Sequence, residues 1–185
     1  LMPFAVRTID LSGYDLVLSS SHSVAKGVRV SKQQLHICMC YSPMRYAWDM
    51  RDFYLRSAGL DSGIKAVLAN FLLKKLRAWD EKTSKNVDFF IAISHFISKR
   101  IEGVYGRKST VIYPPVNTDS FINRDDRGDN YVTVSRLVPY KRVDLIVKAF
   151  LKLNDKRIKI IGAGPEINNL KRIASGAENI EFLGH

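Results

Sequence analysis

The chain has 185 residues, of which 46% are apolar and 25% charged, a globular balance with enough apolar material for one medium domain or two small ones. Its net charge of +11 is uneven, with 17 Lys/Arg against 9 Asp/Glu in residues 1–118 and 12 against 9 in residues 119–185. Phosphates, anionic lipid and nucleic acid are the partners such a balance favours, although solvated helix faces are the simplest account of charge alone. No run approaches 18 apolar residues, so no membrane-spanning helix is predicted. Residues 1–13 lack the pattern of a secretory signal, and a start at Leu1 leads to the expectation of a chain that begins within a longer gene.

In chain order, three apolar, β-rich runs come first: DLVLSS (15–20), LHICMCY (35–41) and VDFFIAI (87–93). Each is short enough to be a strand buried on both faces. Cys38 and Cys40 stand two apart in the second run, poorly placed to bridge and too few for a metal site. A reducing, cytoplasmic setting is the expectation that follows. MRYAWDMRDFYL (44–55) has helical spacing, and a longer helix is predicted over 62–83. In that helix Ile64, Val67, Leu68, Phe71, Leu72, Leu76 and Trp79 recur at intervals of three and four. The stripe reads first as a core face, with a partner-facing or membrane-facing surface as the alternative. SHFISKRIEGVYG (94–106) reads as a further helix, and STVIYPPV (109–116) as a strand stopped by Pro114-Pro115.

NTDSFINRDDRGDN (117–130) is polar and turn-rich, so it marks the boundary between residues 1–116 and residues 117–185. Asp125, Asp126 and Asp129 within it read as a solvated linker, because the Gly-plus-Glu spacing of a calcium loop does not follow. The second block is regular: strand 131–135, helix 140–153, strand 157–162, helix 165–175 and strand 180–184. A β-α-β-α-β order with short connections implies an α/β fold with a parallel sheet, the unit of doubly wound nucleotide-binding proteins.

Ligands of such sheets collect at the carboxyl ends of the strands. One predicted strand end carries Ser135, Arg136, Lys141 and Arg142, and a second carries GAGPE (162–166). A cation in the first turn of a helix opposes the helix dipole, and a bound diphosphate would reverse the sign of that term. The competing reading of the same cations is a surface salt bridge, with Asp144 the nearest candidate. The glycines serve either a ligand's approach or simply a tight strand-to-helix turn, since the third glycine of a dinucleotide fingerprint is missing. His22, His36, His95 and His185 are scattered without ligand spacing and read as packing or surface residues, with His95 beside Ser94 at a strand end the one of most interest. Basic and aromatic residues are not interleaved as a nucleic-acid platform requires, so no nucleic-acid partner is expected.

Together, HICMCYSPMRYAWD, DFFIAISHFISKRIEGVYGRKSTVIYPPVNTDSF, VTVSRLVPYKRVDLIVKAF, IIGAGPE and NIEFLGH resemble the family 4 retaining glycosyltransferases, and in particular mannosyltransferase-like members that build surface polysaccharides. The resemblance runs from about residue 15 to 185 and implies the GT-B architecture, two Rossmann-like domains of which the second holds most of a sugar-nucleotide donor. It implies that Arg136 and Lys141 grip the donor diphosphate without a metal or other cofactor, and that Gly162, Gly164, Glu166, Gly184 and His185 approach the nucleotide. Tyr41, Ser42, Arg45, Ser94 and His95 would face the acceptor and the transferred sugar. The implied reaction moves a hexose, most simply mannose from GDP-mannose, to a lipid-linked glycan or polysaccharide with retention. The implied setting is cytoplasmic, with peripheral contact to anionic membrane through the basic helix 62–83. Tyr41 stands where similar sequences have a histidine, and Ile93 where an asparagine is usual before Ser94. A glycine-rich loop expected before residue 1 and a glutamate pair expected after His185 are not in the chain. Hence the alternative: a degenerate or split non-catalytic piece that binds a nucleotide, a complementary polypeptide or a second copy of itself.

Overall fold

A computed structural model describes residues 2–121 and 128–184. Asp125, Asp126 and His185 lie outside the described residues. The chain forms two compact units, residues 1–116 and 117–185.

The first unit follows a short helix α1 (Met2–Ala5) with strands β1 (Leu16–Ser21) and β2 (Leu35–Cys40), helices α2 (Arg51–Ser57) and α3 (Gly63–Ser84), strand β3 (Phe89–Ala92), helix α4 (His95–Tyr105) and strand β4 (Thr110–Val111). The strands form one parallel sheet in the order β1-β2-β3-β4. Period-two alternation divides each strand. Val17, Ser19, His36, Cys38, Cys40, Phe90 and Ala92 are buried, whereas Leu16, Leu18, Leu35 and Phe89 are exposed. The expectation of strands buried on both faces is therefore corrected. One face packs on Val87, Ile97 and Ile101 of the β3–α4 region, and the other stands open. The strand predicted over 109–116 shrinks to two residues, because the Pro114-Pro115 pair supplies no N–H to continue a ladder.

α4 is bounded as its sequence dictates. The Ser94 hydroxyl caps it by accepting the Ile97 N–H (3.2 Å), and Gly106, in the left-handed region, ends it. The helix predicted over 44–55 is a series of turns up to Met50, and only residues 51–57 are helical. The carbonyl of Ala47, which an uninterrupted helix would offer to the Arg51 N–H, instead receives the Arg77 guanidinium of α3.

The second unit has strands β5 (Asn130–Val134), β6 (Arg157–Ile161) and β7 (Ile180–Gly184) in a parallel sheet of that order, joined by helices α5 (Val143–Phe150) and α6 (Ile167–Ile173). Its core is Leu137, Val143, Val147, Phe150, Ile158, Ile160, Leu170, Ala174 and Ile180. Each large aliphatic side chain fully buried there contributes about 1.5–3 kcal/mol. The helix predicted over 140–153 is broken: residues 139–141 form a 3-10 turn, Arg142 turns left-handed (φ 52°), and α5 begins only at Val143.

Candidate functional site

In the second unit, the carboxyl ends of β5 and β6 are laced together by backbone. The Ser135 N–H donates to the Ile161 carbonyl (3.0 Å), the Leu137 N–H to the Ala163 carbonyl (2.9 Å), and the Glu166 N–H back to the Leu137 carbonyl (3.1 Å). This approach explains the glycines. A Cβ at Gly162 would lie 1.9 Å from the Ser135 carbonyl oxygen, and one at Gly164 would lie 2.2 Å from that of Leu137. Gly162 also holds φ 141°, a conformation that side-chain-bearing residues avoid. Both glycines admit the neighbouring strand extension, and the result is that Arg136 emerges directly beside the glycine turn.

Arg136 is exposed and makes no ion pair among the described residues, so its guanidinium is available to an anion. Lys141 is also exposed, with its ammonium 5.7 Å from the centre of the Tyr140 ring. Arg142 takes the other reading of the local charge. Its Nε and Nη2 donate to the two Asp144 carboxylate oxygens at 2.9 and 3.1 Å, and that hydrogen bond holds the Asp144 carboxyl below its ordinary range. Lys148 reaches the same carboxylate one turn on (3.4 Å). Three neighbouring cations are thus sorted by geometry, with Arg142 neutralised in place and Arg136 and Lys141 left outward. Glu166 accepts from the Asn169 amide (3.0 Å) at the start of α6, and Gly184 (φ 76°) ends β7 while its carbonyl accepts the Gly162 N–H.

In the first unit, the remaining candidates gather at the carboxyl ends of β1, β2 and β3. Tyr41 follows β2, is partly exposed, and accepts a long hydrogen bond from the Ser20 hydroxyl (3.3 Å). The Ser42 hydroxyl turns onto the Pro43 carbonyl (2.7 Å), and Arg45 lies in the turn series after it. Ser94 is committed to capping α4, while His95 is exposed with its ring edge-on to Tyr113 at 6.0 Å. No three His, Cys, Asp or Glu side chains cluster in metal-binding fashion among the described residues. A surface hollow of about 710 Å³ is lined by residues of the loops that enter β1 and β2, including Arg7, Arg29 and Gln34. It therefore opens at the end of a parallel sheet opposite to where ligands collect.

A buried polar cluster escapes the sequence reading altogether. The Lys26 ammonium, 2% exposed, donates to an Asp80 carboxylate oxygen (2.6 Å), to the Asp80 carbonyl (2.8 Å) and to the Thr83 hydroxyl (3.0 Å). The other Asp80 carboxylate oxygen accepts the Trp48 indole N–H (2.8 Å) and the Tyr105 hydroxyl (2.9 Å). Burial, reinforced by the Asp80 charge, pushes the Tyr105 hydroxyl far above its ordinary range. The cluster ties α3 to α4 and to the turns after β1 and β2, the loops that present the acceptor-side candidates. Its signal in the sequence is the polar series Asn70, Arg77 and Asp80, spaced by seven and three on the helix face opposite the apolar stripe. Nearby, His36 is fully buried. Its Nδ1–H donates to the Asn86 carbonyl (3.1 Å), its Nε2 accepts the Ser19 hydroxyl (2.9 Å), and burial lowers its pKa below the usual 6.5. Burial likewise raises the Cys38 thiol and pushes Cys40 up to about 12, which makes both inert packing residues.

Two units, each a parallel sheet with its polar candidates at strand ends, define an α/β protein of the class whose ligands lie over the carboxyl edge. No protein-family model matches the chain. The GDP-mannose-dependent alpha-(1-6)-phosphatidylinositol monomannoside mannosyltransferase of Mycolicibacterium smegmatis is 29% identical over 122 residues, 55% of this chain and 32% of the relative. Among solved structures, the GtfA/B complex (23% identity, TM-score 0.42) and the pneumococcal O-GlcNAc transferase GtfA in complex with UDP and GlcNAc (18%, TM-score 0.45) each match 60% of this chain and 25% of theirs. The chain thus spans about a third of the curated relative and a quarter of these structures.

Proposed function

We propose that the chain carries part of a GT-B glycosyltransferase that moves a hexose from a sugar nucleotide to a glycan acceptor. The observation that carries the reading is the backbone lacing of residues 135–137 to the Gly162–Glu166 turn, which sets an unpaired Arg136 beside the glycine turn at the carboxyl edge. In this account residues 117–185 bind the donor and residues 1–116 serve the acceptor. Arg136 clamps the donor diphosphate bidentately and Lys141 adds a point charge. As the bond between the anomeric carbon and the diphosphate oxygen breaks, the two cations neutralise the leaving group, while the acceptor hydroxyl oxygen bonds to the same face of the carbon and its proton passes to the departing diphosphate oxygen. Gly162, Gly164, Glu166 and Gly184 border the nucleotide, and Tyr41, Ser42, Arg45, Ser94 and His95 border the acceptor and the sugar. The partial match to a GDP-mannose-dependent enzyme supports GDP-mannose as donor and a lipid-linked acceptor, and two buried free thiols fit a cytoplasmic setting. Calorimetric titration of GDP-mannose into the chain tests the reading. Loss of a charge-assisted contact corresponds to about 1.5–3 kcal/mol, so Arg136→Ala weakens binding on the order of tenfold or more. Affinity unchanged by Arg136→Ala defeats the proposal.

The open sheet face of the first unit favours a second reading, a non-catalytic or split piece that binds a complementary polypeptide through Leu16, Leu18, Leu35 and Phe89. Sugar transfer that appears only when a second polypeptide is mixed with this chain supports a split enzyme; stable pairing without transfer supports the non-catalytic form.

A further inference from the structure

The hollow at the amino edge of the first sheet is used by neither the donor nor the acceptor candidates. One wall is the chain between α1 and β1, and the other is the turn that leads into β2. Its volume of about 710 Å³ lies within the roughly 300–1,000 Å³ of small-molecule sites. Gln34 joins the two walls. Its side-chain amide donates to the Leu11 and Tyr14 carbonyls (2.5 and 2.6 Å), and its Oε1 accepts the Ser31 N–H (2.8 Å). With both donors and its oxygen engaged, the amide fixes the spacing of the two loops. On the first wall, the Asp10 carboxylate accepts the Ser12 N–H (3.0 Å), which holds its pKa below the ordinary range and keeps it anionic.

The charges on the walls point to the kind of ligand. Arg7 stands on one wall and Arg29 on the other, both exposed and neither in an ion pair among the described residues. Other arginines of the same unit are committed: Arg51, Arg56, Arg77, Arg100 and Arg107 each donate to a protein acceptor. Two like charges on one hollow repel each other, and an anion between them turns that repulsion into attraction. Guanidinium forks match phosphate bidentately. The rest of the lining is mixed. Phe4 is 75% exposed, and the Ile9 and Val30 N–H groups meet no acceptor among the described residues. A carboxylate repels a bare phosphate but accepts hydroxyl donors, and an exposed aromatic ring suits the apolar C–H face of a sugar.

We propose that this hollow binds a phosphorylated hexose. Arg7 and Arg29 hold the phosphate, one from each wall, Asp10 accepts ring hydroxyls, and Phe4 lies against the sugar. The site is independent of the donor reading, since none of its residues belongs to the carboxyl ends of the strands.

Calorimetric titration of the 185-residue chain with glucose 6-phosphate, inorganic phosphate and glucose tests the proposal, with nitrogen-15 spectra to locate the contact. Glucose 6-phosphate is expected to bind about tenfold or more tightly than inorganic phosphate, glucose not measurably, and the shifted amides to be those of Ile9, Asp10, Val30 and Ser31. Arg7→Gln and Arg29→Gln each weaken the sugar phosphate about tenfold, with unchanged circular dichroism because both side chains are exposed. Arg136→Ala/Lys141→Ala leaves it unchanged. Asp10→Asn acts in opposite directions: it weakens glucose 6-phosphate by removing a strong hydroxyl acceptor, and it strengthens inorganic phosphate by removing a like charge. Absence of glucose 6-phosphate binding overturns the proposal, as does binding that Arg136→Ala/Lys141→Ala abolishes and the Arg7 and Arg29 changes spare. Equal affinity for both phosphates, raised alike by Asp10→Asn, also overturns it and leaves the hollow a plain anion patch.

Discussion

The substitution Asp80→Ala strips a buried ammonium of its carboxylate partner and removes the acceptor of two further donors. Asp80 is fully buried and accepts from Lys26, Trp48 and Tyr105 at 2.6, 2.8 and 2.9 Å. Breaking one partner of a buried ion pair costs about 3–5 kcal/mol, because the surviving charge keeps its desolvation penalty. Lys26 would retain only the neutral carbonyl of residue 80 and the Thr83 hydroxyl. The Trp48 and Tyr105 donors add to the loss, since an unpaired buried polar group costs about 1–3 kcal/mol. A total of at least about 5 kcal/mol removes much of the roughly 5–15 kcal/mol that holds a domain folded. The pair Lys26→Met and Asp80→Asn keeps an amide oxygen for Trp48 and Tyr105 and withdraws the charge. That double variant is expected to be more stable than Asp80→Ala, with a coupling of at least about 2 kcal/mol across the Lys26→Met, Asp80→Asn cycle. Urea denaturation followed by tryptophan fluorescence reads the right unit, because the chain's two tryptophans, Trp48 and Trp79, both lie in it. A loss below about 1 kcal/mol for Asp80→Ala, or additive single effects, would refute the argument that the pair is desolvated and coupled.

A pH dependence follows from His36, whose folded pKa lies below its unfolded value because burial penalises the cation. Below pH about 6.5 the unfolded chain binds the extra proton first, so stability is fully present above that pH and declines as pH falls toward the folded pKa. Denaturation midpoints at pH 7.5 and 5.5 should differ in that direction, and His36→Phe should shrink the difference. At the strand ends, Gly164→Ala drives a Cβ to 2.2 Å from the Leu137 oxygen, a backbone collision that no side-chain rotation relieves. It is expected to destabilise the second unit by about 2 kcal/mol or more, read by hydrogen exchange of the Leu137 and Glu166 amides.

The parallel β-α-β-α-β order of the second unit was legible because its strands are short apolar runs and its connections short. The left-handed Arg142 was not, since nothing in PYKRVD distinguishes a break from a continuous helix until the Arg142–Asp144 pair is seen. The stripe of α3 illustrates a different limit. Spacing identifies an apolar face but not its direction. Here Asn70, Arg77 and Asp80 find partners on the inside, in Arg51, the Ala47 carbonyl and Lys26. Ile64, Val67, Leu68, Phe71 and Leu72, expected in the core, stand exposed instead. At the candidate donor site, residue types pointed to Arg136, Lys141 and the glycines. Only the backbone lacing explains why the glycines are glycines, and only the Asp144 carboxylate separates Arg142 from the other two cations. Lys26 carried no local signal, because its partner lies 54 residues away.

The measurement closest to the central claim compares the affinities of GDP, GMP and guanosine for the chain and for Arg136→Ala/Lys141→Ala. The account predicts that binding strengthens from guanosine to GDP, that the gain is lost in the double variant, and that Arg142→Ala leaves it intact. A preference for GDP that survives loss of Arg136 and Lys141, or one that Arg142→Ala abolishes, would contradict the assignment of the diphosphate to these two side chains.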